Sequence, residues 1–127
     1  VEVILDTNAL SDFLAEVPGI RSPIEAALGL YIPVIVLGEY RYGVRSSRSR
    51  RQIEEKLTDL LQDVEVLAVD RTTSIFYAEV RSELKLAGTP IPENDVWIAA
   101  LVRQHQLPLL SRDAHFDVVK RIERVSW

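Results

Sequence analysis

The chain has 127 residues, a net charge of −4 and no cysteine; 47% of its residues are hydrophobic and 27% charged. This length and composition fit one domain with its own core and exclude a disordered chain. The lack of cysteine excludes disulfides, thiolate metal sites, iron–sulfur clusters and cysteine nucleophiles, and suits a reducing compartment. The apolar runs fall short of the roughly 18–20 residues that span a bilayer, and no signal-peptide pattern precedes the first strand, so a cytoplasmic protein with no membrane contact is expected. An acidic balance disfavours nucleic acid as a partner unless carboxylates gather divalent cations, which reverse the local charge.

Val1–Leu5 reads as a strand ending at Asp6, and Asp6-Thr7-Asn8 supplies turn and capping chemistry. Ala9–Glu16 suits a short helix stopped by Pro18-Gly19. Ser22-Pro23 reads as an N-cap with proline after it, opening a second short helix to about Gly29. Leu30-Tyr31-Ile32 follows as a strand, and Pro33 introduces an apolar helix, Val34–Val44. Polar Ser46–Arg51 reads as a hinge or helix junction. The helical spacing of Ile53, Leu57, Leu60 and Leu61 marks a helix over Arg51–Gln62. Val64–Val69 reads as a strand, with Asp70 at its end. Thr72–Leu86 reads as a helix that offers Ile75, Phe76, Ala78, Val80, Leu84 and Leu86 for packing and ends at Gly88. After the extended Thr89-Pro90-Ile91-Pro92, a helix runs from Glu93 or Asn94 to about Gln106. Pro108–Leu110 is a strand leaving through Ser111-Arg112-Asp113, and a short helix and a strand over Ile122–Ser126 close the chain. Strands alternating with helices predict an α/β fold: a three-layer α/β/α sandwich with a mainly parallel central sheet, in a single domain, residues 1–127.

Ligands of open parallel sheets bind beyond the carboxyl ends of the strands. Asp6 and Asp113 fall there, as does Asp70. Asp95 lies in register with Ile98, Ala99 and Val102, so its carboxylate shares the core-facing stripe of its helix. Glu39 lies inside an apolar helix beside the stripe Val36, Tyr40, Gly43, where an uncompensated charge is costly. Each acid also has a plain structural reading: Asp6 as a cap, Asp95 as a dipole partner, Glu39 as the ion-pair partner of Arg41 or Arg45, Asp113 as a turn residue. Together they are placed to converge. Converging carboxylates repel, and divalent cations relieve the repulsion; all-oxygen ligation suits Mg²⁺ or Mn²⁺. Neither His105 nor His115 shows zinc-type spacing. His105, near a helix end, reads as structural. His115 follows Asp113 closely enough to approach the site, but the sequence gives it no ligand role.

Four segments, in order and across essentially the whole chain, resemble the PIN-domain family, in particular the VapC-type toxins of toxin–antitoxin pairs. They are Val3-Ile4-Leu5-Asp6-Thr7-Asn8, Val36-Leu37-Gly38-Glu39-Tyr40-Arg41-Tyr42-Gly43, Ile91-Pro92-Glu93-Asn94-Asp95-Val96-Trp97-Ile98-Ala99-Ala100 and Leu109-Leu110-Ser111-Arg112-Asp113, with Phe116 as the aromatic after the last acid. The resemblance implies a PIN-like fold and a metal-dependent endoribonuclease. Asp6, Glu39, Asp95 and Asp113 would be the catalytic quartet, with Asp6, Asp95 and Asp113 holding Mg²⁺ or Mn²⁺. Thr7, Asn8 and Ser111 would support the site, with Asp117 as an auxiliary acid. It also implies RNA as substrate, a cognate antitoxin laid in an apolar groove, and a homodimer, for which Trp97 and Trp127 are interface candidates. The dense basic stretch with Arg41, Arg45, Arg48, Arg50 and Arg51 is the candidate for gripping RNA phosphates, against the plain reading of a solvated helix end.

Three other readings compete. Strand-end aspartates also serve phosphoryl transfer, but haloacid-dehalogenase-type enzymes need a second aspartate where Asn8 stands, and response-regulator receivers need a paired acidic start and a well-placed late lysine. A catalytically inactive binding module of the same fold conflicts with the intact quartet. A flap-type DNA nuclease needs added elements for which the chain has no room.

Overall fold

Five short strands alternate with six helices in the computed structural model, which describes residues 1–127. In chain order they are β1 (Val3–Leu5), α1 (Thr7–Leu14), α2 (Arg21–Ala26), β2 (Leu30–Pro33), α3 (Val34–Val44), α4 (Arg50–Leu61), β3 (Glu65–Leu67), α5 (Arg71–Ala87), α6 (Glu93–His105), β4 (Leu109–Leu110) and β5 (Arg124–Val125), with a 3-10 helix, Ala114–Val118, between the last two strands. The sheet order is β3-β2-β1-β4-β5 and every pairing is parallel. The expected α/β sandwich on a parallel sheet is therefore the observed fold. Parallel strands need crossovers, and the helices supply them while burying the sheet. No helix is long and apolar enough to cross a membrane.

The chain leaves β1 toward β3 on one side, then returns to place β4 and β5 on the other. The direction reverses between β1 and β4, where parallel sheets open a ligand crevice at their carboxyl ends. The register sets Leu5 beside Leu110, and the Asp6 N–H donates to the Leu110 carbonyl at 3.1 Å. Asp6 and Ser111 thus leave adjacent strands side by side at that crevice.

One core holds the layers together, with Ile4, Leu5, Ile32, Leu109 and Leu110 from the sheet and Val36, Leu57, Ile98, Leu101 and Phe116 from the helical layers. Helix α1 packs on α3 and α4, α5 packs on α6, and α3 touches α6. Several local expectations are corrected. Ser22 is not a cap: α2 begins at Arg21 after an uncapped Ile20. Gly43 is exposed, and Leu37 and Val44 complete the buried face of α3 with Val36 and Tyr40. Ile75 and Leu86 of α5 face solvent; its buried face is Thr73, Val80 and Leu84. Asp70 is explained structurally, because it caps α5 through a reciprocal bond pair with Thr73. Gly88 ends α5 in the left-handed region at φ 69°, where a Cβ would be strained.

Candidate active site

Asp6 carries both its structural and its candidate functional reading at once. As N-cap of α1 it accepts the Thr7 N–H on Oδ1 at 2.8 Å. Its Oδ2 accepts the Ser111 hydroxyl at 2.6 Å and the Asn8 amide at 3.4 Å. Ser111 is fully buried; its Oγ also receives the Asp113 N–H at 3.0 Å, and Asn8 Oδ1 accepts the Arg112 N–H at 3.2 Å. Asn8 and Ser111 therefore lock the end of β1 to the exit of β4. Thr7 reaches the other way, its hydroxyl donating to Glu39 Oε1 at 3.0 Å. That bond is how Glu39 is held, and neither Arg41 nor Arg45 pairs with it.

Asp95 sits in the first turn of α6, where the helix dipole favours a negative charge, and Ile98, Ala99 and Val102 on its face are buried as their spacing implied. Asp113 caps the 3-10 helix, accepting the His115 N–H at 3.2 Å. Burial is the main cause that raises the Asp6 carboxyl above the ordinary range; the Ser111 and Thr7 bonds oppose it, and the charges of Glu39 and Asp113 add to it. Burial likewise pushes Asp95 up to about 6, against the relief of His115 and with the charges of Asp6 and Glu39 adding to it. Asp6, Glu39, Asp95 and Asp113 thus share one electrostatic field at the crevice.

His115 joins them, beyond what the sequence assigned. Its Nδ1 lies 2.8 Å from Asp113 Oδ1 and its Nε2 lies 2.5 Å from Asp95 Oδ2. The ligating atoms of Asp95, Asp113 and His115 all lie within 4.8 Å of one another, a spacing that one ion can bridge. The only sequence signal was its place two residues after Asp113, beside an aromatic that the core would bury. Asp117 is placed differently: both its oxygens are taken by Arg124, at 2.8 and 2.9 Å, which also holds its carboxyl below the ordinary range. The donor set fits a hard divalent cation, being carboxylate oxygens with one imidazole at the rim.

Arg41, Arg45, Arg48 and Arg51 are exposed and unpaired, whereas Arg50 pairs with Glu54 at 3.0 Å. Tyr42, on the same end of α3, is 80% exposed, while Tyr40 packs in the core. A groove between α1, α3 and α4 is lined by Leu14, Tyr40 and Ile53 together with Thr7 and Glu39. Both tryptophans are engaged within the chain: Trp97 stacks on Tyr77 at 3.9 Å, and Trp127 donates to Asp12 at 3.2 Å beneath Arg112. His105 lies exposed at the end of α6, away from these contacts.

Comparison with known proteins agrees with this architecture. The PIN domain family matches over residues 3–122. Ribonuclease VapC4 of Mycobacterium tuberculosis is 30% identical over 97 residues, 75% of each chain. Toxin FitB of Neisseria gonorrhoeae is 28% identical over 121 residues, 87% of each chain. Among solved structures, VapBC2 of Rickettsia felis, bound to a DNA fragment from its promoter, superposes with a TM-score of 0.90 at 25% identity, over 100% of this chain and 99% of that one.

Proposed function

The chain belongs to the PIN-domain family, and from that premise we propose that it is a divalent-metal-dependent endoribonuclease, the toxin of a toxin–antitoxin pair. The observation that carries the reading is the shared field of Asp6, Glu39, Asp95 and Asp113 at the switch point of the sheet. Two of these groups are destabilised as anions when no cation is present, which a bound Mg²⁺ or Mn²⁺ would relieve. Asp6, Asp95 and Asp113 would hold the cation. When bound, it supplies Lewis acidity toward a phosphate oxygen and a water of lowered pKa.

The chain's own residues supply placement. Asn8 and Ser111 fix the Asp6 carboxylate by one bond each and are bonded to one another, and Asp113 is held by the same serine. Glu39, oriented by Thr7, faces the crevice as the group that orients the attacking water or completes the outer shell. The unpaired arginines of the α3–α4 junction are the proposed phosphate grip, and exposed Tyr42 offers a face for base stacking. Asp117, tied up by Arg124, keeps at most an outer role.

Relatives solved as VapBC toxin–antitoxin proteins support an antitoxin partner. The groove beside Glu39 suits an apolar segment, and the Glu39 carboxylate suits a basic side chain. A homodimer is supported by Ile75, Ala78 and Leu86, which line one exposed face of α5.

The test is digestion of total bacterial RNA by the partner-free chain. We expect discrete fragments with Mg²⁺ or Mn²⁺ and none with EDTA. Direct attack of water predicts ends that carry a linear phosphate, 5′-phosphate with 3′-hydroxyl where the 3′-oxygen leaves. Cyclic 2′,3′-phosphate ends that persist in EDTA would contradict the reading and point to metal-free chemistry.

A further inference from the structure

His115 holds a position that the reading above leaves unused. It lies in a 3-10 helix pinned at both ends of its first turn. Asp113 caps that helix before it, and Phe116, fully buried, anchors it after. The Phe116 ring also packs against the imidazole, with centroids 5.1 Å apart. The ring is thus oriented by the backbone cap and by packing, and then by its two carboxylate contacts.

Those contacts divide the labour of the two nitrogens. Asp113 Oδ1 lies 2.8 Å from Nδ1, a charge contact out of line with the ring N–H that favours a proton on that nitrogen once Nε2 is engaged. Nε2 is left facing Asp95 Oδ2 at 2.5 Å. A lone pair on each of these atoms would repel at that distance, so a positive centre lies between them: the ring proton in the metal-free chain, and a cation that takes its place when one binds. Two neighbouring ligands at about 2.1 Å from an ion stand roughly 3 Å apart, so Nε2 and Oδ2 need to separate by only about half an ångström.

We propose that His115 is a nitrogen ligand of the active-site cation, through Nε2 and beside Asp95, and that it biases the site toward Mn²⁺ over Mg²⁺. The inference rests on the cation-dependent reading above and adds the ligand that sets its preference. Mg²⁺ keeps oxygen ligands and waters, whereas imidazole binds first-row transition ions well. A purely carboxylate site would lack that bias.

The test is Mn²⁺ binding to the untagged, partner-free chain, with no substrate. Electron paramagnetic resonance of free Mn²⁺ gives the affinity, and electron spin-echo modulation reports a directly bound ¹⁴N. Wild type and His105→Gln are expected to show the nitrogen signal. His115→Ala and the bulkier His115→Gln, both checked for folding by circular dichroism, are expected to lose it. Their Mn²⁺ affinity should fall by roughly tenfold or more, while Mg²⁺ affinity, read by competition, changes by less than about threefold. Mn²⁺ bound tightly by wild type without ¹⁴N coupling, or coupling that survives in the folded His115 variants, would overturn the inference and leave the cation-dependent reading standing. Folded wild type that binds no Mn²⁺ would overturn both.

Discussion

Replacing Asp95 with asparagine should stabilise the metal-free chain near neutral pH. The carboxyl of Asp95 is pushed from an ordinary 3.8 up to about 6, chiefly by burial, so the folded chain holds this proton more tightly than the unfolded chain does. Its contribution is favourable while the group is protonated, fades as pH rises from about 4 to 6, and stays lost above that. At about 1.4 kcal/mol per pH unit, ionised Asp95 costs the fold on the order of 3 kcal/mol at pH 7.5. That figure is an upper bound, because His115 binds an amide oxygen less well than a carboxylate, which leaves a gain of about 1–3 kcal/mol for asparagine. In melting temperature this is on the order of 5–10 °C. Urea unfolding in EDTA, followed by circular dichroism at pH 7.5 and pH 4, measures it. The variant should be the more stable protein at pH 7.5, and the gap should close at pH 4. Saturating Mg²⁺ should also close the gap, by relieving the wild-type charge. An asparagine variant less stable than wild type at pH 7.5, or a gap indifferent to acid, would refute the reasoning.

Other consequences follow from particular contacts. Ser111→Ala leaves Asp6, Asn8 and the Asp113 N–H short of a buried partner, so it should cost about 1–3 kcal/mol in urea unfolding and about tenfold or more in cleavage rate. Alanine at both Arg41 and Arg45 should weaken RNA binding and flatten its salt dependence by roughly 0.7 per arginine in a log–log plot; an unchanged slope would remove this surface from the RNA path. Lysine at Ile75 and Leu86 should give a monomer by sedimentation if the exposed face of α5 joins two copies, and unchanged mass would place the interface elsewhere.

The parts legible in the sequence are those set by local chemistry. Asp6 follows a strand and precedes Thr-Asn, so one residue both ends β1 and caps α1. Asp95 shares the spacing of Ile98, Ala99 and Val102, and burial of those three carries it toward the crevice. What escaped depends on tertiary geometry. The sequence offered Arg41 and Arg45 as partners for Glu39, yet Thr7, 32 residues away, holds it. Asp117 looked free until β5 brought Arg124 against it. His115 became part of the site only because the short helix there is a 3-10 turn that brings its ring against Asp113. On α5 the apolar residues outnumber the buried positions, so periodicity could not say that Ile75 and Leu86 remain outside.

The central claim is that a cation held by these acids cleaves RNA, and Asp6→Asn tests it most directly. Asp6 is 5% exposed, and asparagine nearly preserves its shape and its Thr7 cap while removing the charge and the Oδ2 acceptor of Ser111 and Asn8. Cleavage of total bacterial RNA by partner-free protein should be run for wild type and variant side by side in Mg²⁺, Mn²⁺ and EDTA, with folding verified by thermal melting. Metal-dependent fragments are expected from wild type, with a loss of cleavage of at least about a hundredfold in a variant that remains folded at the assay temperature. A folded Asp6→Asn protein that cuts RNA at the wild-type rate would contradict that claim.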